Sequence, residues 1–172
     1  MPEALQALPP ALLAAVVLGA FAAMTTLGAL SGFAAERLVP GLPQGRQGMP
    51  LFEGQYRFEL LGNAVFLSVA TLTVTLALHT RAIRFGAPGP VRETLTFAAM
   101  LWGFQVVYWL LHRAMHTRLL VAIHRWHHRS RVTTPLSGQS MGFVEAIGYA
   151  IGYYALPALA SQIAPISAEG WA

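Results

Sequence analysis

Tyr108-Trp-Leu-Leu-His112-Arg-Ala-Met-His116-Thr-Arg-Leu-Leu-Val-Ala-Ile-His124-Arg-Trp-His127-His128 is the stretch whose reading decides the fold. Five of the chain's six histidines lie in it, spaced H-x3-H and then H-x2-H-H. Residues three and four apart on a helix share a face. His112 and His116 can therefore address one point, and His124, His127 and His128 can do the same from the following helical segment. Neutral imidazole is the commonest protein metal ligand and suits iron, zinc and copper. Packing alone explains so dense a cluster poorly, and a metal site is expected. The competing reading is a basic amphipathic helix whose histidines sit among lipid headgroups.

Toward the amino terminus the stretch continues an apolar segment. Leu95 to Leu111 is 17 residues long, within the range of a membrane span, and it runs directly into His112. Ala11 to Leu30 carries no charge and covers roughly 30 Å as a helix. Leu60 to Leu78 is a further span, with Asn63 near its start expected to reach interfacial water. Met141 to Ile163 is interrupted by Glu145 and Pro157, marginal for a full span and open to tilting, kinking or re-entry. The expected fold class is all-α, an integral membrane helical bundle in a single membrane domain over 1–172. It has about four transmembrane or membrane-embedded helices, near 11–30, 60–78, 95–111 and 141–163, and a histidine-rich cytoplasmic segment at 112–131.

Composition supports lipid as the solvent. The 172 residues are 55% hydrophobic and 10% charged, with mean hydropathy +0.53. Soluble domains carry about 25% charged residues. The net charge of +4 comes from arginine alone, since lysine and aspartate are absent. Such a balance fits anionic headgroups better than nucleic acid. The lack of cysteine excludes disulfides, Cys-ligated zinc and Cys-ligated iron–sulfur clusters within this chain.

The connections set the orientation. Glu36 to Arg57 reads as a loop broken by prolines and glycines. Arg81 to Arg92, centred on Gly86-Ala-Pro-Gly-Pro90, is tight enough to make its two spans antiparallel neighbours. With the amino terminus outside, the cytoplasmic side receives the first loop and the histidine segment, three plus five arginines against three in the connector. His79 then lies on the opposite side and is discounted as a ligand. Gly28/Gly32 and Gly148/Gly152 form G-x3-G pairs; the first is attributed to the abundance of glycine. The tail from Ser161 shows no strong pattern.

Gln105, Tyr108, His112 and His116 form one polar stripe on an apolar helix, and such stripes usually face a site or cavity. Tyr108 reads equally as an interface anchor. Zinc proteolysis is rejected, because the position beside the first histidine of H-x3-H is Arg113 where a general-base glutamate is needed. Bis-histidine haem and structural zinc each need fewer imidazoles than five. A surplus of imidazole without thiolate better suits non-haem iron or a dinuclear site that activates dioxygen.

Tyr108 to His116, with its H-R-x-x-H box, and His124 to His128, with its H-x-x-H-H box, resemble the fatty acid hydroxylase/sterol desaturase superfamily. Pro135 to Glu145 is similar to a further segment of that family, and the resemblance spans roughly Leu95 to Ala150. It implies an integral membrane non-haem diiron oxygenase that hydroxylates or desaturates a lipid such as a fatty acid, sterol or carotenoid. The partners implied are O2, an external electron donor (a reductase, ferredoxin or cytochrome b5-like protein) and the membrane, with no nucleic acid. His112, His116, His124, His127 and His128 would bind Fe, and Tyr108 and Gln105 would line the site.

Three positions depart from the family pattern. Gln105 stands where the family often has aspartate, Gly142-Phe143 replaces its His-Pro, and no histidine follows His128. Two irons take about four to six ligands each, more than five imidazoles supply. The chain is therefore expected to be the amino-terminal part of a longer enzyme, holding half of a site. The alternatives are a one-metal paralogue, a protomer that completes its site by association, a non-catalytic membrane metal- or haem-binding protein, and an inactive truncated paralogue. Glu145 is expected to be a helix-start residue rather than a carboxylate ligand.

Overall fold

The computed structural model describes residues 2–39 and 50–171. In chain order the helices are α1 (Pro2–Gln6), α2 (Pro10–Leu38), α3 (Gln55–His79), α4 (Pro90–Met115), α5 (Val121–His124), α6 (Phe143–Ile163) and α7 (Ala168–Trp171). Helices α2, α3, α4 and α6 are each long and apolar enough to cross a membrane. This is the expected helical membrane bundle. The fourth span is one continuous helix of 21 residues, about 31 Å, with Pro157 inside it.

The long helices outrun their apolar sequences. Helix α2 takes in Glu36 and Arg37, and α3 begins at Gln55 and includes Arg57 and Glu59. The loop expected to begin at Glu36 therefore starts later; its residues 40–49 lie outside the described residues. Hydropathy marks only the part of a helix that lies in hydrocarbon, whereas backbone bonding carries the helix on through the interface. Proline at the first position fixes the starts of α2 and α4.

The exterior is apolar and the interior partly polar, the reverse of a water-soluble domain. Leu27, Leu30, Leu72, Leu95, Phe97 and Trp102 are all exposed, while Gln55, Glu59, Asn63, Thr71, Thr75, His124 and Glu145 are buried. Exposed leucines on spanning helices face lipid tails without penalty; buried polar groups need partners.

Helix packing follows a row, α2–α3–α6–α4. Here the expectation for the connector is corrected. Helices α3 and α4 are consecutive, yet α6 packs against both of them. Small residues permit the approach: a Cβ on Gly152 would stand 2.7 Å from Val107, and one on Gly103 would stand 3.0 Å from Leu156. Gly32 meets Pro135 of the loop after the histidines, whereas Gly28 and Gly148 have open space. Neither G-x3-G pair acts as a pair. The tail also has structure. Ile166 pairs with Phe85, and Ser167 N donates to Thr96 Oγ1 at 3.0 Å.

Candidate metal centre

The histidine segment is a chain of short pieces rather than a helix. His112 sits in the last turn of α4 and His116 is its C-cap. His124 closes the four-residue α5, and His127 and His128 lie in a 3-10 turn, His127–Arg129. The turns fold the two boxes onto each other. Ligand atoms of His112, His116, His124 and His128 all lie within 4.8 Å of one another. Nε2 of His116 is 3.2 Å from Nε2 of His112 and 3.3 Å from Nε2 of His128.

These spacings fit a shared cation. Two imidazole nitrogens bound at about 2.1 Å to one ion stand about 3.0 Å apart at a right angle and about 3.4 Å apart at the tetrahedral angle. Hydrogen bonding alone serves the group badly. His116 Nε2 carries at most one hydrogen for two neighbours. Nε2 of His124 is buried and has no hydrogen-bond partner among the described residues. A shared metal ion would draw on all four lone pairs once the widest-set nitrogens, up to 4.8 Å apart, close to the roughly 4.2 Å that two bonds of about 2.1 Å span, so the residues present fit such an ion after a small inward shift.

Electrostatics keep the lone pairs available. Burial, reinforced by the neighbouring imidazoles with His128 foremost, lowers His124 to about 4. Burial and then His116 and His127 lower His128 as well. Both rings are therefore neutral at pH 7, the state that binds metal.

The remaining ring nitrogens have their own partners. His124 Nδ1 is 2.7 Å from Glu145 Oε1, and both residues are fully buried. His112 Nδ1 is 3.4 Å from the Tyr149 hydroxyl. His127 lies beside the cluster, its ring 5.4 Å from that of His124, but outside the group of four; its Nδ1 donates to the Ser140 carbonyl at 3.2 Å. Tyr108 is half-buried and stacks on Tyr149 at 5.2 Å and on His112 at 5.7 Å, so it adjoins the cluster. Gln105 is exposed, and the structure does not bring it to the histidines. His79 is exposed at the far end of α3.

A buried network fastens the histidine segment to the start of α3. Thr134 Oγ1 donates to Glu59 Oε2 at 2.6 Å, and Gln55 Nε2 donates to Glu59 Oε1 at 2.8 Å and to the Val132 carbonyl at 2.7 Å. Asn63 is buried and donates to the Leu136 carbonyl at 2.7 Å, which corrects its assignment to interfacial water. Trp126 stacks on Phe58 at 4.5 Å, and the Arg129 guanidinium lies 4.8 Å from the same ring. Gly62 allows the loop to close: a Cβ there would stand 2.9 Å from Met141 N and closer still to Ser140 Oγ. Sequence reading missed Glu59, Tyr149 and the contact of Glu145 with His124, while the expectation that Glu145 starts a helix holds. The available signal was a carboxylate within or beside an apolar run.

These features define a multi-span helical membrane protein with a four-imidazole cluster at one end of its bundle. Residues 97–170 match the model of the fatty acid hydroxylase family. The matched segment takes in both histidine boxes and runs from within α4 into α7. No curated protein and no solved structure matches the chain.

Proposed function

We propose that the protein is a membrane non-haem iron oxygenase, a hydroxylase or desaturase acting on a C–H bond of a lipid with O2 and external electrons. One observation carries the reading: four imidazoles converge on a point at the end of a membrane bundle, within the segment that matches the fatty acid hydroxylase family. His112, His116, His124 and His128 would hold iron, which when bound supplies the means to activate dioxygen. His127 stands next to them, tied to the Ser140 carbonyl. Tyr108 and Tyr149 form the stacked aromatic floor beneath His112. The apolar exterior of α4 and α6 gives a lipid direct access from the bilayer. The modest arginine bias of the sequence supports a cytoplasmic position for the cluster. A diiron centre would draw further donors from outside this group of four, from another segment or a second copy. The role of Gln105 as a lining residue would require such a partner to cover it.

The test is metal content of the purified, detergent-solubilised protein expressed with iron, together with a search for oxygenated or desaturated lipid in the expressing cells. Bound iron that His128→Ala loses, accompanied by a modified lipid, is the expected result. Iron bound without any lipid product would favour the non-catalytic metal-binding alternative. Absence of specific metal would end both readings.

A further inference from the structure

Glu145 is fully buried in the first turn of a membrane-spanning helix, and its contact with His124 links α6 to the histidine segment. A carboxylate in such a place is costly unless it is paired. Two simpler roles are open to it. It is not one of the four residues whose ligand atoms converge, so it is not a direct ligand in this arrangement. It also occupies the third position of α6, where a glutamate can reach back to the backbone N–H of the helix-start residue, here Gly142. Such a cap has no need of a histidine at 2.7 Å.

We infer that Glu145 is a positioning residue for His124, holding the hydrogen on Nδ1 so that Nε2 is the nitrogen presented to the metal. This inference rests on the metal-centre reading above. The geometry supports it from both sides of the ring. Nδ1 is engaged at 2.7 Å, and Nε2 is buried with no hydrogen-bond partner among the described residues. A carboxylate on the outer nitrogen fixes the tautomer and ring orientation and raises the basicity of the inner nitrogen. His124 is the most buried member of the group and cannot turn to water for another partner. His116 and His128 are exposed and are oriented less strictly.

The experiment measures Co(II) affinity and the visible spectrum of the Co(II)-loaded full chain in detergent. It compares wild type, Glu145→Gln, His124→Ala and the double variant. Glutamine keeps the size of the side chain but loses the charge, and its amide can donate to Nδ1 as well as accept from it, so the tautomer is no longer fixed. The expected result is Co(II) binding about 10- to 100-fold weaker in Glu145→Gln, with a shifted spectrum. In the His124→Ala background the same change should have no further effect, because its route to the metal is gone. Wild-type affinity and spectrum in Glu145→Gln would overturn the inference and leave the metal centre standing. An equal loss in both backgrounds would also overturn it, by showing a structural role only. Failure of wild type to bind Co(II) would remove the metal reading and this inference with it.

Discussion

Both ends of the bundle are closed by chain that folds back, but with opposite chemistry. At the histidine end the closure is made by buried side chains: Gln55, Glu59 and Thr134 in one network, Asn63 on Leu136, and His124 on Glu145. At the other end it is made largely by backbone. Gly86 N donates to the Ile166 carbonyl at 3.0 Å, Ile166 N donates to the Arg84 carbonyl at 3.0 Å, and Ala77, Ile83 and Ile166 pack behind them. Backbone pairing accepts many side chains. A buried carboxylate accepts few, because each donor it serves is left unpartnered if it goes. The contrast shows where side-chain position is held most tightly, and that is the end that carries the imidazoles.

Removing the acceptor at each end tests this contrast. Glu59→Ala leaves the Thr134 hydroxyl and one of the two Gln55 amide hydrogens without an acceptor in the interior and should cost about 3 kcal/mol. It should also loosen the histidine segment, lowering metal retention. Thr96→Val at the other end removes only the acceptor of Ser167 N and should cost about 1 kcal/mol. Thermal unfolding in detergent measures both. Equal losses would mean that the two closures are energetically alike.

Acid should distinguish the ends next. Folded His124 titrates at about 4 against an ordinary 6.5, so between those values the unfolded chain holds a proton that the folded chain refuses. The contribution of His124 to the stability of the metal-free protein is then fully present above pH 6.5 and is lost as pH falls toward 4. The slope from this one group is at most about 1.4 kcal/mol per pH unit. His128 is lowered too and adds in the same direction. His124→Gln should flatten the dependence of the unfolding midpoint on pH. A profile unchanged by that substitution would show that His124 is not the group responsible.

The spans were legible because lipid imposes a one-dimensional rule on sequence, a long run without charge. Their ends were not, because that rule stops at the hydrocarbon edge while α2 runs on through Arg37 and α3 starts upstream at Gln55. The histidine boxes were legible through their spacing. Their partners were less so, because Glu59–Thr134 and His124–Glu145 join residues distant in the chain. Gln105 shows the limit of periodicity. It shares a stripe with Tyr108 and His112, but α6 covers Gly103, Phe104, Val107, Tyr108 and Leu111, and Gln105 falls beyond its edge. Helical spacing tells which residues share a face; what covers that face is a tertiary fact.

The smallest effect is expected at the end without histidines. Arg81 follows α3 in the left-handed region, at φ 53, and Ala82 N returns to the Ala77 carbonyl at 3.2 Å. Glycine is the usual residue at such a helix end, since a Cβ in that conformation costs roughly 1 kcal/mol. Glycine also gives the unfolded chain more freedom, which offsets part of the gain. Arg81→Gly should therefore stabilise by about 0.5 kcal/mol, a rise of roughly 1–2 °C in melting temperature for a chain of this size. Metal affinity should not change, because the site lies at the opposite end of α3. A lower melting temperature would show that the Arg81 side chain contributes more there than its backbone strain costs. A changed metal affinity would show that the two ends are coupled through α3, and the contrast between them would no longer be one of independent closures.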